Sequence, residues 1–283
     1  MSDISPGKKL RQAITQGTIQ VPGAPNALMG RLIERAGYPA AYLSGAALSA
    51  GVMAVPDIGL FSLSELQQQT GYLTTAVDIP VIVDADTGFT EKNGLTETIV
   101  ALDSADAAAV QLEDQVEATK RCGHLSGKSL VSVDAMCTKL QTAIRARRDS
   151  DLVLIARTDA YAVEGIDAAI ERAGRYLEAG ADWIFPEALE TREDFAKFSA
   201  VIDAPLVANM TEFGKSPNMT IEELSQLGYA AVLYPVTLLR LAMKTAEEAL
   251  ATIQSQGTQT ELIDRMQTRA ELYELLDYDA RDL

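Results

Sequence analysis

One histidine and two cysteines in 283 residues narrow the chemistry before any motif is read. A histidine-rich zinc site is excluded, and a Ser-His-Asp triad would have to be built on His124 alone. Cys122 and Cys137 give no disulfide framework, and Cys137, in the apolar pattern Ala135, Met136, Leu140, is expected in the core. Basic charge is also scarce. A formal net charge of −16 removes the basic face that nucleic acid or an anionic membrane requires, so neither is expected as a partner. No apolar run approaches the roughly 20 residues that span a bilayer. The start, from Met1 to Lys9, has no apolar secretory segment, which makes a cytoplasmic location the expectation. An anionic substrate stays compatible with the charge, because local Arg and Lys groups or a bound divalent cation reverse the field inside one cleft.

What is present is a hydrophobic content of 47%, ample for a large core, arranged as short apolar runs that alternate with longer helical patterns. The runs cover residues 19–21, 40–43, 81–83, 108–112, 152–156, 183–185, 206–208 and 231–233. Continuous apolar runs of this length suit strands buried on both faces of a parallel sheet. Amphipathic segments at 63–77, 134–147, 166–179 and 192–201 fall between them, with Gly180 as a helix C-cap candidate. Eight strand signals alternating with helices predict a (β/α)8 TIM-type barrel, residues 1–283 forming a single domain. An open doubly wound sheet would need a dinucleotide fingerprint or a P-loop, and neither occurs. Helical pattern continues over 237–256 and 260–276, more than one closing helix needs. The C-terminal extension, about 257–283, is therefore expected to pack on another surface such as a neighbouring subunit.

Active sites of this fold gather where the strands end at their carboxyl termini. Just past the runs stand Ser44-Gly45, Asp84-Ala85-Asp86, Glu113-Asp114, Arg157-Thr158-Asp159, Glu187, Asn209-Met210-Thr211 and Tyr234-Pro235. Any one of these is an ordinary cap or loop residue; their coincidence on one rim is harder to dismiss. Asp84 and Asp86, two apart on an extended strand, should point the same way, and Glu113 on the next strand can reach them. Three carboxylates without histidine make a hard-oxygen site suited to Mg²⁺ or Mn²⁺ that retains waters, against the alternative of a capping Asp and a salt-bridged Asp. Arg157 and Arg240 are the cations a polycarboxylate needs, since guanidinium grips carboxylate in a fork.

The densest signal is Lys120-Arg121-Cys122-Gly123-His124, where one of the cysteines meets three potentially cationic side chains. Nearby positive charge favours the thiolate, so this thiol is expected to lose its proton more easily than an isolated one.

Together with Tyr42-Leu43-Ser44-Gly45, Val83-Asp84-Ala85-Asp86-Thr87-Gly88-Phe89, Leu112-Glu113-Asp114-Gln115, Phe185-Pro186-Glu187-Ala188, Thr211-Glu212-Phe213-Gly214 and Gly257-Thr258-Gln259, that stretch resembles the isocitrate lyase/phosphoenolpyruvate mutase superfamily over nearly the whole chain. The cysteine is specific to its lyase branch. The resemblance implies a Mg²⁺-dependent barrel with a closing catalytic loop, acting on a tricarboxylate. Its metal site would use Asp84 and Asp86, with Asp57 and Glu113 holding waters. It aligns Ser44, Gly45, Ala46, Cys122, Gly123, Arg157, Glu187, Asn209, Met210, Thr211, Arg240 and Arg269 with substrate-contacting positions. Phe185 and Leu233 match positions that shape a methyl-accepting wall. A homotetramer with a C-terminal helix exchanged between subunits is also implied. The chain departs from many relatives at Ala46-Ala47, where glycines are common, and at Met210, where isoleucine is common.

The activity implied is retro-aldol cleavage of (2R,3S)-2-methylisocitrate to pyruvate and succinate, in the methylcitrate route for propionate. Cys122 would be the general acid and therefore a thiol at that moment, with His124, Lys120 and Arg121 setting its acidity and recharging it. Tyr42, Glu113 or a metal-bound hydroxide would be the hydroxyl base. The rivals are a lyase for isocitrate or 2,3-dimethylmalate, a phosphonomutase or oxaloacetate decarboxylase, and a non-catalytic barrel.

Overall fold

The computed structural model describes residues 4–90 and 94–279; Met1–Asp3, the first residues of the segment read for a leader, lie outside them. Two compact units are present, Met1–Thr237 and Leu238–Leu283.

The first unit holds eight strands: β1 (Ile19–Pro22), β2 (Ala41–Leu43), β3 (Val81–Asp84), β4 (Ala109–Glu113), β5 (Val153–Thr158), β6 (Trp183–Pro186), β7 (Val207–Asn209) and β8 (Ala231–Tyr234). They pair in parallel as β2-β3-β4-β5-β6 and as β1-β8-β7. Two further parallel bridges, Gly23 with Tyr42 and Ile184 with Leu206, join β1 to β2 and β6 to β7. The ring is thus continuous, and the expected (β/α)8 barrel is what forms. Val21, Tyr42, Ile82, Ile155, Trp183, Phe185, Val207 and Leu233 belong to one buried cluster contributed by the strands. Each fully buried aliphatic or Phe side chain there contributes about 1.5–3 kcal/mol.

The helices follow local signals. Ser62 and Glu65 form a reciprocal capping box that starts Leu63–Ala76, which buries Leu66, Thr70 and Leu73. Gly180, at φ +104°, takes the left-handed turn after Ile166–Glu178 that a side chain would resist.

Apolar runs underestimate most of these strands at their carboxyl ends. Asp84, Glu113, Thr158, Asn209 and Tyr234 are themselves strand residues. The backbone ladder extends through these polar residues, so part of the mouth is built on strand ends. Cys137 is a correction of another kind. It is only partly buried, on the helix Val133–Ala146, and its thiol donates to Arg175 O at 3.5 Å. The inward face of that helix is Met136, Leu140 and Ala143, one helical step away from Cys137.

The second unit comprises most of the helix Thr237–Gln256, a 3-10 turn Thr260–Arg265 and the helix Arg269–Leu275. The helical pattern read over 260–276 is interrupted. Met266 is extended, and Thr268 with Glu271 begins a new helix through a capping box. No helix among the described residues is long and apolar enough to cross a membrane.

Candidate active site

The mouth of the barrel collects carboxylates first. Asp84, last residue of β3, accepts hydrogen bonds from Gly45 N (3.2 Å), Asp86 N (3.2 Å) and Gln111 Nε2 (3.0 Å), which fix both of its oxygens. Asp86 is not in an extended strand. Its φ of +50° turns the chain left-handed, and the turn, not strand alternation, aims its carboxylate beside Asp84. Both carboxylates face Gly45, where an added Cβ would lie 3.1 Å from Asp86 Oδ1 and 3.3 Å from Asp84 Oδ2. Ser44 caps the helix Gly45–Met53 by accepting from Ala47 N, so its hydroxyl serves the chain; Ala46 follows in the first turn. Burial lifts the Asp86 pKa to about 7 against the pull of Lys120, and lifts Glu113 well above the carboxylate range against the pull of Arg157.

Tyr42 does not suit the role of base. Its hydroxyl donates to Gln111 Oε1 at 2.8 Å, and burial with the nearby Asp84 charge raises its pKa, both of which keep it protonated. It acts instead through Gln111, whose amide nitrogen holds Asp84.

Arg157, on β5, is the cationic hub. Asp159 grips it in a fork, Nε to Oδ2 at 3.1 Å and Nη2 to Oδ1 at 3.0 Å. Its Nη1 stands 3.3 Å from Glu187 Oε2 and 3.5 Å from Glu113 Oε2, and the guanidinium lies over the Phe185 ring at 5.4 Å. Glu187 is held below the usual carboxylate range by Arg157 and His124 in spite of its burial. Asn209 Nδ2 reaches Glu187 at 3.3 Å, and Leu233 is the register partner of Asn209 on β8. Met210 is held twice, its N donating to Leu233 O at 2.9 Å and its buried sulfur accepting from Met219 N at 3.5 Å. Thr211 begins the loop against which His124 rests, its Cγ2 lying 3.0 Å from the Cβ position of Gly214.

The segment between β4 and the helix Val133–Ala146 carries Cys122 over this mouth. Its base is tied by Val131 N to Asp114 O and Val116 N to Ser129 O. Its tip is tied by the cations around the cysteine. Lys120 pairs with Asp57 and, at 2.8 Å, with Asp86; His124 Nε2 is 3.1 Å from Glu187. His124 Nδ1 accepts from Lys215 N at 2.9 Å, so in the neutral ring the proton sits on Nε2 and points at Glu187. Arg121 turns outward to Ser126 O at 3.2 Å. All three cations are therefore directed away from the thiol, which corrects the expectation of an acidified cysteine. Burial, with Asp57 as the next cause, raises the Cys122 pKa and keeps the group a thiol. Gly123 lies so close to the mouth that a Cβ there would meet Arg157 Nη2 at 2.5 Å and Glu187 Oε2 at 2.7 Å. Gly123→Ala is accordingly expected to displace the tip and lower kcat by about 10²-fold, measured by steady-state turnover beside an unchanged far-UV spectrum; wild-type kcat in that variant would mean that the tip does not work in this position.

Residues 10–254 match the family described as phosphoenolpyruvate phosphomutase. The chain belongs to that family. It is 49% identical over 281 residues to a 2-methylisocitrate lyase of Aeropyrum pernix, covering 98% of this chain and 90% of the relative. It is 42% identical over 280 residues to the 2-methylisocitrate lyase of Escherichia coli, covering 98% and 94%. Among solved structures, a 2,3-dimethylmalate lyase superposes with a TM-score of 0.90 at 31% identity, covering 98% of this chain and 93% of that one. A phosphonopyruvate hydrolase in complex with oxalate and Mg²⁺ superposes with a TM-score of 0.86 at 28% identity, covering 97% and 95%.

Within this phosphomutase-family mouth, the donor set fits a hard divalent ion. Asp86 Oδ2, Glu113 Oε1 and Asn209 Oδ1 are buried and find no hydrogen-bond donor among the described residues. Carboxyl groups outnumber cations here: Asp57, Asp84, Asp86, Glu113 and Glu187 meet Lys120, Arg157 and Lys139, with His124 at Glu187. Among the described residues no three His, Cys, Asp or Glu side chains converge as a ready chelate; Mg²⁺ keeps several waters and takes as few as one or two carboxylates. Sequence reasoning placed Asp159 on the rim without its role as partner of Arg157, and overlooked Gln111 and Lys128 as parts of the site. A glutamine inside the apolar run of β4 was the one visible signal; Lys128 gave none beyond its nearness to Cys122. Arg240 and Arg269 fall in the second unit, on the helices Thr237–Gln256 and Arg269–Leu275.

Proposed function

We propose that the protein is a Mg²⁺-dependent carbon–carbon lyase that splits (2R,3S)-2-methylisocitrate into pyruvate and succinate. The observation that carries this reading is Cys122, a half-buried thiol kept protonated and held over a mouth of Arg157, Glu187 and metal-suited carboxylates. The names of the relatives at 49% and 42% identity support the substrate.

Asp84 and Asp86 would hold the ion, with Asp57 and Glu113 on its waters. When bound, Mg²⁺ supplies Lewis-acid stabilisation for an alkoxide and the carbonyl that replaces it. Glu113 is the base for the 2-hydroxyl in this reading: burial lifts its pKa, and the positive field of the ion whose waters it holds would lower it again, so that it would enter the step as a carboxylate. The C2–C3 bond breaks, its electron pair passes to the succinate half as an enediolate, and the Cys122 S–H returns a proton to that carbon. Arg157 and Asn209 offer the donors that stabilise the developing charge. Arg240 and Arg269 complete the substrate contacts in this reading, as do Ser44, Gly45, Ala46, Met210 and Thr211.

The setting proposed is the cytoplasmic methylcitrate route for propionate. A homotetramer with exchanged C-terminal helices is proposed as the working form. The helix Thr237–Gln256 has no buried residue, and Leu241, Met243 and Leu250 are more than half exposed, which favours a partner surface there.

Substrate choice provides the test. In this reading Phe185, under Arg157, and Leu233, the register partner of Asn209, would form the apolar wall for the C2 methyl group, as the resemblance implies. Methylisocitrate is expected to exceed isocitrate in kcat/KM by about 10- to 200-fold, since one methyl-sized group in an apolar pocket is worth about 1–3 kcal/mol. Steady-state assays of methylisocitrate, isocitrate and 2,3-dimethylmalate side by side check this. Equal or reversed values would reject the substrate and leave the lyase chemistry, which rests on Cys122 and Arg157.

A further inference from the structure

Lys128 is a lysine almost wholly out of water, 6% exposed, at the far side of the Cys122 loop. Its ammonium donates to two acceptors, the carbonyl of Gly123 and, at 2.5 Å, Asp159 Oδ1. Gly123 follows the cysteine, so this contact fixes the Gly123–His124 peptide, one residue from the thiol. Asp159 is itself immobilised: it is fully buried, its N–H donates to Asp114 Oδ1 at 2.9 Å, and both its oxygens hold Arg157.

We propose that Lys128 is a positioning residue whose ammonium clamps the Gly123 carbonyl to Asp159 and so holds the Cys122 loop down on the barrel. The role of the clamp in turnover rests on the reading of Cys122 as the proton donor; the clamp itself does not. Two other basic groups tie the tip, but each uses a carboxylate that the reaction also calls on. Lys120 sits on Asp57 and Asp86, and His124 sits on Glu187. Lys128 pairs with a carboxylate that has no proposed part in binding metal or substrate. Its hold can therefore persist while the other two are exchanged for ligands. The ion pair is dry, where attraction is strong and salt screens it little. A hydrogen bond from a charged donor to a buried carbonyl adds direction to the attraction. Because Asp159 Oδ1 is shared between Lys128 and Arg157, the same oxygen that latches the loop also sets the orientation of the guanidinium.

Alkylation of Cys122 by iodoacetamide reads the clamp directly, with Cys137 of the same molecule as the internal reference. In Lys128→Met the ratio of Cys122 to Cys137 labelling, measured by peptide mass, is expected to rise about tenfold or more, because the loop opens locally more often. Lys128→Arg, which keeps charge and donors, is expected to return most of the protection. In the lyase assay Lys128→Met should lose kcat by about 10-fold or more with KM within about threefold, since positioning of the acid is lost and the carboxylate contacts stay. Lys128→Gln serves if Lys128→Met does not fold, with the same rise expected. A folded variant whose labelling ratio stays within twofold of wild type would overturn the clamp, whatever its activity. A raised ratio in Lys128→Met, beside a wild-type protein that cleaves none of the three acids, would keep the clamp and reject the lyase assignment instead.

Discussion

Replacing Cys122 with serine is expected to lower kcat for methylisocitrate cleavage by about 10²- to 10⁴-fold, the usual range for a positioned acid or base, with KM little changed. The substitution is nearly isosteric, and the carboxylate contacts of Arg157 and Asn209 do not involve the thiol. What changes is the proton. A thiol lifted by burial and by Asp57 still gives up its proton far more readily than an alcohol, and it is present as the acid through the neutral range. A serine hydroxyl in the same place has the backbone N–H of His124 and the charge of Asp57 as its neighbours, as the thiol does, but cannot protonate an enediolate at a useful rate. Cys137→Ser is the control, expected within about twofold of wild type, because Cys137 sits on an outer helix face bonded to Arg175 O. Steady-state kinetics with saturating Mg²⁺ and a thermal melt for each variant separate a catalytic loss from a folding loss. A Cys122→Ser enzyme that keeps a tenth of the wild-type kcat would remove the general-acid role.

The barrel was legible because strands buried on both faces leave continuous apolar runs, and eight of them with helical spacers have few alternative folds. The runs stop where side chains turn polar, so Asp84, Glu113 and Asn209 looked like loop residues when they are strand ends. The rim carboxylates were readable from position alone. Their geometry was not. Asp86 reaches Asp84 through a left-handed turn, which local sequence does not announce. Charge near Cys122 was readable as composition but misleading as chemistry, since the effect of a cation depends on where its long side chain goes. Lys120 goes to Asp57 and Asp86, Arg121 to Ser126 O, and His124 to Glu187, all contacts distant in sequence or dependent on the turn at 122–125. The pairing of Lys128 with the rim residue Asp159 escaped notice for the same reason: 31 residues separate them, and only the closed barrel brings them together.

Exhaustive chelation is expected to abolish turnover reversibly, with Mg²⁺ and then Mn²⁺ restoring it, while the barrel stays folded. Lewis-acid stabilisation of several kcal/mol corresponds to a loss of about 10³-fold or more in rate. A second readout does not depend on activity. An ion that binds only the folded chain stabilises it by about 2.7 kcal/mol at a hundred times its Kd, which raises the melting temperature of a chain this size by several degrees, at about 2–4 °C per kcal/mol. Asp86→Asn is the decisive variant. Asparagine tolerates the φ of +50° that Asp86 adopts, so the turn survives where alanine would strain it. The substitution removes one charge from the carboxylate cluster and converts the unpaired Oδ2 position, if the amide points there, from an acceptor into a donor aimed at the ion. It also weakens the hold on Lys120, whose partner at 2.8 Å becomes neutral, leaving that ammonium to Asp57 alone. The Mg²⁺-dependent rise in melting temperature should therefore vanish in Asp86→Asn, and turnover should fall by about 10³-fold even at high Mg²⁺. Because Asp86 lies in the turn past the end of β3 and not within the ring of strands, the melting temperature of the metal-free variant should stay within a few degrees of metal-free wild type. Full activity of the wild-type protein in chelated buffer, or an undiminished melting shift in Asp86→Asn, would show that these carboxylates serve the fold through Lys120 and not a cation.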